Sequence, residues 1–106
     1  MARIDVGQQI LIERPSQRQL DRLKVFGWPI WAKEPSTFEW CYDEPETCYF
    51  LEGDALVKTD GGEYSIGSGD FVTFPQGLRC TWQVKRAVRK HYHFGKLSDE
   101  GARGVS

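Results

Sequence analysis

Apolar residues in this chain follow a helical spacing only near the start, and beyond about residue 28 they follow the two-residue alternation of strands. Ile10-Leu11-Ile12 is a short apolar run suited to an edge strand. Ser16 and Gln19 then stand at capping-box spacing, Leu20 and Leu23 share one helical face, and Gly27-Trp28-Pro29 stops the segment. This predicts one short helix over residues 17–25. Trp28 to Trp31 and Phe38 to Tyr42 read as strands, and Thr47 to Lys58 as a longer one bent at Gly53. Asp60-Gly61-Gly62 is a hairpin turn, because both glycines accept positive φ without penalty. Glu63 to Ile66 returns, Gly67 to Asp70 turns again, and Phe71 to Phe74 runs up to Pro75-Gln76-Gly77. Arg79 to Lys85 and Ala87 to Phe94 are expected as two further strands. Short strands at this spacing predict an all-β sandwich or barrel, preceded by one helix.

The 106 residues suffice for one domain with one core, taken here as 1–106 with its barrel at about 26–95. The polar, Gly-bearing residues 96–106 are expected to be a disordered tail. Fourteen Lys and Arg against fifteen Asp and Glu leave no field that would attract nucleic acid or an anionic membrane. No apolar run approaches the ~20 residues of a membrane span, and Met1 to Asp5 lacks a leader's apolar core. The expectation is a cytoplasmic protein. Its three cysteines, Cys41, Cys48 and Cys80, show no Cys-x-x-Cys spacing and are expected as free thiols.

Two stretches carry a more specific signal. Gly69-Asp70-Phe71-Val72-Thr73-Phe74-Pro75-Gln76-Gly77-Leu78-Arg79-Cys80 resembles the second cupin motif, Gly-x5-Pro-x-Gly-x2-His, with Cys80 at the histidine position. Glu46 and Gly53 match the Glu-x6-Gly half of the first motif, without the His-x-His pair that should precede it. Trp28-Pro29-Ile30-Trp31, Phe38-x-Trp40-x-Tyr42, Glu46 to Gly53, Leu78-x-Cys80-x-Trp82 and Val88 to Tyr92 extend the likeness over about residues 26–94. Together they resemble the small single-domain cupins of the branch named after ureidoglycine aminohydrolase. The resemblance implies a double-stranded β-helix, or jelly-roll, barrel, and a homodimer formed through strand edges. The enzyme behind the branch name uses manganese. Carried over residue by residue, its metal-ligand pattern leaves Glu46, puts Cys80 in place of the third histidine, and puts either Trp40 and Tyr42 or Glu39 and Cys41 in place of the first two. One carboxylate and one thiol beside aromatics make a poor site for a hard ion. No cofactor is expected, although zinc, manganese or iron is the alternative, zinc through Glu46, Cys80, Cys41 and a histidine.

The candidate site is the barrel mouth. Strand alternation puts Glu46, Cys48 and Phe50 on one face, and Cys80, Trp82 and Val84 on one face of a later strand. Trp40, Tyr42 and Trp82 are candidate ligand-binding residues, with Glu46, Cys80 and Lys90 as the chemical groups. An aromatic-filled core with Glu46 salt-bridged at the rim is the plainer alternative. A carboxylate inside a barrel needs a partner, for which Lys90 or Arg89 is placed; beside aromatics alone it becomes a general acid or base. Cys80 reads either as a nucleophile or as a small core residue. His91 is a further ligand-binding candidate, but whether His91 and His93 or Lys90 and Tyr92 face inward stays open. The basic cluster Lys85, Arg86, Arg89, Lys90 and the acidic stretch from Asp43 to Asp54 read as a solvated face or a dimer contact. The leading reading is a small-molecule-binding protein, with or without metal-independent catalysis by Glu46. The alternatives are a metal-dependent hydrolase or lyase on a ureido or similar nitrogenous metabolite, and a non-enzymatic regulatory module.

Overall fold

A computed structural model describes residues 10–95 and Leu97. The expected disorder of residues 96–106 lies outside the described residues, Leu97 excepted. β1 (Leu11–Glu13) leads into α1 (Gln17–Arg22), whose N-terminus carries the expected reciprocal cap between Ser16 and Gln19. The helix ends earlier than its apolar spacing suggests. Lys24 takes a left-handed conformation (φ 59°), and Val25–Gly27 forms a single 3-10 turn that buries Val25. Leu20 and Val25 then pack with Phe71 on the outer side of the sheet.

The strands that follow are β2 (Ile30–Lys33), β3 (Ser36–Cys41), β4 (Glu46–Thr59), β5 (Gly62–Gly67), β6 (Phe71–Phe74) and β7 (Arg79–Phe94). They form one seven-stranded sheet whose spine is the antiparallel pair β4–β7. β6 and β5 flank the two halves of β4, while β2 and β3 flank the two halves of β7. All these pairs are antiparallel, and β1 extends the sheet beyond β6. The hydrogen-bonded path β1-β6-β4-β7-β2 has two ends, so among the described residues the sheet is open and the expected barrel is not closed by pairing.

Two expected strands are one. Arg79 to Phe94 is one continuous strand, and the break expected at Arg86 survives only as irregular pairing, with register shifts between Phe50 and Ala55 of β4 and between Lys90 and Val84 of β7. Gly53 sits in that slip at φ 109°, and a Cβ there would lie 2.5 Å from the Ala87 carbonyl oxygen. Only glycine lets the two backbones approach this closely. The slip also switches the parity of β4: Cys48 and Phe50 are buried before it, Ala55 and Val57 after it. On β7 the even positions Cys80, Trp82, Val84, Val88 and Lys90 are buried, while Arg86 between them is exposed. One apolar core therefore runs the length of the spine, with Trp82, Phe50 and Phe74 fully buried in it. Members of the basic and acidic clusters pair on the exposed surface: Arg89 reaches Glu52 at 3.1 Å, and Arg86 reaches Asp54 at 3.5 Å.

Candidate functional site

The inner face opens into a cavity of about 250 Å3. Its walls are Trp31 from β2, Phe38 and Trp40 from β3, Tyr42 just beyond, Trp82 from β7, and Tyr92 and Phe94 at the end of β7. Residues 38, 40 and 42 share strand parity, which is how one segment delivers three rings to one side. Tyr42 is held by the turn after β6: Gly77 N–H donates to the Tyr42 carbonyl at 2.7 Å, and Tyr42 N–H donates to Leu78 at 2.9 Å. Its ring stacks on Phe74 at 4.8 Å between centroids. Trp82 stacks on Phe38 at 6.1 Å and forms the deep wall. Trp40 and Phe94, half exposed, stand at the mouth.

The polar groups of the cavity are concentrated in its floor. Glu46 and Lys90 face each other from adjacent strands, with Lys90 Nζ 3.3 Å from Glu46 Oε2 and side chains only 5% and 7% exposed for Lys90 and Glu46. Cys48 Sγ donates to the same carboxylate oxygen at 3.3 Å. Around the ammonium stand four rings, Trp31 at 4.9 Å, Trp82 at 5.0 Å, Phe50 at 5.5 Å and Phe74 at 5.8 Å. Withdrawing an ion from water costs several kcal/mol, roughly, and a close counter-ion with π faces on other sides is what offsets it. Burial alone would lower the Lys90 ammonium, yet the Cys48 sulfur and the Glu46 carboxylate outweigh it and raise its pKa. Lys90 is therefore a cation at neutral pH. The Cys48 thiol is pushed up to about 12, by burial first, and stays protonated. Burial, and after it Glu46, likewise holds the Tyr42 phenol well above its usual range.

Of the residues named from sequence, Glu46, Lys90, Trp40, Tyr42 and Trp82 come together around this cavity. Cys80 and His91 do not. Cys80 is buried on the same side of β7 but lines a second, more open cleft with Trp40, Cys41, Lys58 and Arg79. Its thiol lies 3.8 Å from the Trp40 carbonyl and is pushed up to about 11, chiefly by burial, which leaves it protonated and poorly nucleophilic at neutral pH. His91 is on the outer face of β7, where Nδ1 donates to the Trp28 carbonyl at 2.9 Å and the ring meets Phe26 edge-on. The question of which β7 residues face inward is answered by burial of the Lys90 ammonium against Glu46, with Tyr92 beside it. Sequence reasoning missed Trp31, Phe38, Tyr92 and Phe94 as cavity walls. The period-two alternation from Phe38 to Tyr42, and from Lys90 to Phe94, was the signal that could have found them.

The donor set does not suit a metal ion. Among the described residues no group of three or more His, Cys, Asp or Glu side chains comes together. The one carboxylate that could begin such a site already carries the Lys90 ammonium.

A glutamate on the motif strand, looking into an aromatic cup on a β4–β7 spine, defines a cupin-type protein. The chain belongs to the family described as the EutQ-like cupin domain, whose model matches residues 20–92. It is similar to a DUF861 family protein from Thermotoga maritima, with 53% identity over 81% of this chain and 99% of that one, at a TM-score of 0.79. The Clostridium difficile EutQ protein shares its fold at 24% identity and a TM-score of 0.58, over 64% of this chain and 54% of that one. A protein described as a putative ethanolamine utilization protein Q, from Salmonella typhimurium, does so at 20% identity and a TM-score of 0.55, over 91% of this chain and 78% of that one. No curated protein matches the chain. No helix among the described residues is long and apolar enough to cross a membrane.

Proposed function

We propose that this cupin binds a small molecule in the aromatic cavity and needs no metal to do so. The observation that carries the reading is the Glu46–Lys90 pair, which is buried, charged and yet part of the cavity lining. A core built only for stability gains little from such a pair, since well-packed apolar side chains of similar volume serve as well or better. An apolar cup with a few placed polar groups is the usual composition of a ligand site. Glu46 and Lys90 are the groups that would touch the ligand's polar atoms, and the rings of Trp31, Phe38, Trp40, Tyr42, Trp82 and Tyr92 would hold its body. Cys80 and His91 have no part in this reading. A metal-dependent hydrolase acting on a ureido compound would need an ion at Glu46, where the lysine ammonium is seated, so the metal-free reading is preferred.

A fragment screen by protein-observed NMR tests it. Hits are expected to shift the indole N–H signals of Trp31 and Trp82, which line this cavity and not the Cys80 cleft, and to leave Trp28, which lies outside the cavity, unmoved. Hits that move only Trp28 or the residues of the Cys80 cleft would remove the proposal. Glu46→Gln then separates binding from turnover: a bound hit that the wild type converts and this variant does not makes Glu46 an acid or base.

A further inference from the structure

The charge of the cavity floor carries the reading further, to a class of ligand. Glu46 and Lys90 neutralise each other, so the buried floor has no net charge although it is built of two ions. Its two ends are distinct. Glu46 Oε2 receives both the Lys90 ammonium and the Cys48 thiol, while Oε1 accepts no hydrogen bond among the described residues. The side chain that bears this oxygen is 7% exposed and lines the cavity. A buried carboxylate oxygen without a donor is costly, and a ligand N–H or O–H would relieve it. Beside it the Lys90 ammonium offers N–H groups and accepts nothing.

A ligand cation on this floor would meet the ammonium, and a ligand anion would meet the carboxylate. On a floor whose two ions are this deeply buried, neither repulsion is screened as it is in water. An uncharged group with both an acceptor and a donor meets neither. The walls add shape. Trp31, Phe38, Trp40, Tyr42, Trp82 and Tyr92 supply ring surface to the lining, against which a flat group packs well. A 150 Å3 apolar cavity, approximately, holds benzene. The 250 Å3 here, approximately, leaves room for one ring with a short polar end.

Building on the ligand-site reading, we infer that the cavity takes a compact, planar, uncharged molecule of about one ring. Its amide-like end presents an acceptor to Lys90 and a donor to Glu46. The three probes that test this share one shape and differ in charge: benzamide, benzoate and benzamidinium. Each is titrated at pH 7.5 into the wild type, E46Q, K90M and the double variant E46Q/K90M, with the cavity indole signals as readout.

On the wild type, benzamide is expected to bind at least about tenfold more tightly than either ion, the effect of one unmatched buried polar group. K90M leaves the carboxylate alone and should move the preference to benzamidinium. E46Q leaves the ammonium alone and should move it to benzoate. The double variant restores a neutral floor and should favour benzamide again, so the series stays readable if either single variant fails to fold. An ion binding the wild type as tightly as benzamide would overturn the inference, and so would a folded single variant that keeps the wild-type order or a double variant that prefers an ion. Failure of all three probes to displace a cavity hit from the fragment screen would also remove this ligand class, while leaving the cavity itself as a binding site.

Discussion

The two concavities on β7 make a controlled comparison, because one strand supplies a candidate chemical group to each. Toward its end, Lys90 sits within a ring-walled cavity against Glu46. Near its start, Cys80 and Arg79 border a wider cleft of about 520 Å3 whose other residues include Glu39, Lys58, Asp60 and Thr81. The first is narrow and mostly aromatic, and its ions are paired at contact distance. The second is polar and open, and its thiol is held protonated. Alternation along a strand puts both groups on the inner side. What differs is the opposing surface: four rings and a carboxylate face Lys90, whereas a backbone carbonyl faces Cys80. Reactive residue types do not make a site until neighbouring elements enclose them.

The sharpest way to break this comparison is to remove one ion from each concavity. Lys90→Met strands the buried Glu46 carboxylate and should cost about 3–5 kcal/mol of stability by urea unfolding. Pairing it with Glu46→Gln should recover most of that loss. Arg79→Met at the open cleft should change stability by less than about 0.5 kcal/mol. Equal losses at the two positions would show that the ring-walled floor has no special energetics.

Alkaline pH gives the next largest effect. The folded-state pKa of Cys48 is raised from its ordinary 9.0 to about 12, and that of Lys90 is raised above 10.5. In both cases the folded state holds its proton longer than the unfolded chain. The stabilisation is complete below the unfolded values and is lost as pH rises through the folded ones. Stability should therefore be flat with respect to these groups from pH 7 to about 9 and fall beyond it. Cys48→Ala should delay the onset of the fall toward the lysine range, as followed by urea midpoints at each pH.

Thiol chemistry sharpens the contrast at a smaller scale. Exposed Cys41 should react first with a disulfide reagent, and buried Cys48 and Cys80 slowly. With its pKa pushed up to about 11, Cys80 is thiolate to only about a thousandth at pH 8. Rapid labelling of Cys80 in the native state would show that the cleft activates it after all. The smallest effect belongs to the exposed pairs. Arg86→Ala or Arg89→Ala should each lower stability by less than about 1 kcal/mol, since solvent screens them.

How much of this was legible beforehand depends on the range of the interaction involved. The Ser16–Gln19 cap and the Asp60-Gly61-Gly62 turn are local, and both were readable from adjacent residues. The inward parity of Glu46, Cys48 and Phe50 was also readable, because the pleat fixes it. The division of β7 into two strands was misread, because the strand runs on through the irregular pairing at Lys85-Arg86-Ala87. Cys80 was placed beside Glu46 on the strength of the motif. In the structure Cys80 is not among the residues that line the cavity with Glu46, and its thiol faces the Trp40 carbonyl instead. His91 was a reasonable candidate by residue type, and its position one residue from Lys90 sends it to the opposite face.

The sequence by itself determined most of the strands, the turns, the cupin likeness and the absence of the His-x-His metal ligands, because these rest on neighbouring residues and on fixed spacings. Only the tertiary structure decided that Lys90 rather than His91 faces the cavity, that its ammonium takes Glu46 as partner, and that four rings from β2, β4, β6 and β7 enclose it. Those contacts join residues far apart in the chain. Their charge state and solvation are set by what packs around them, a property that no linear pattern encodes.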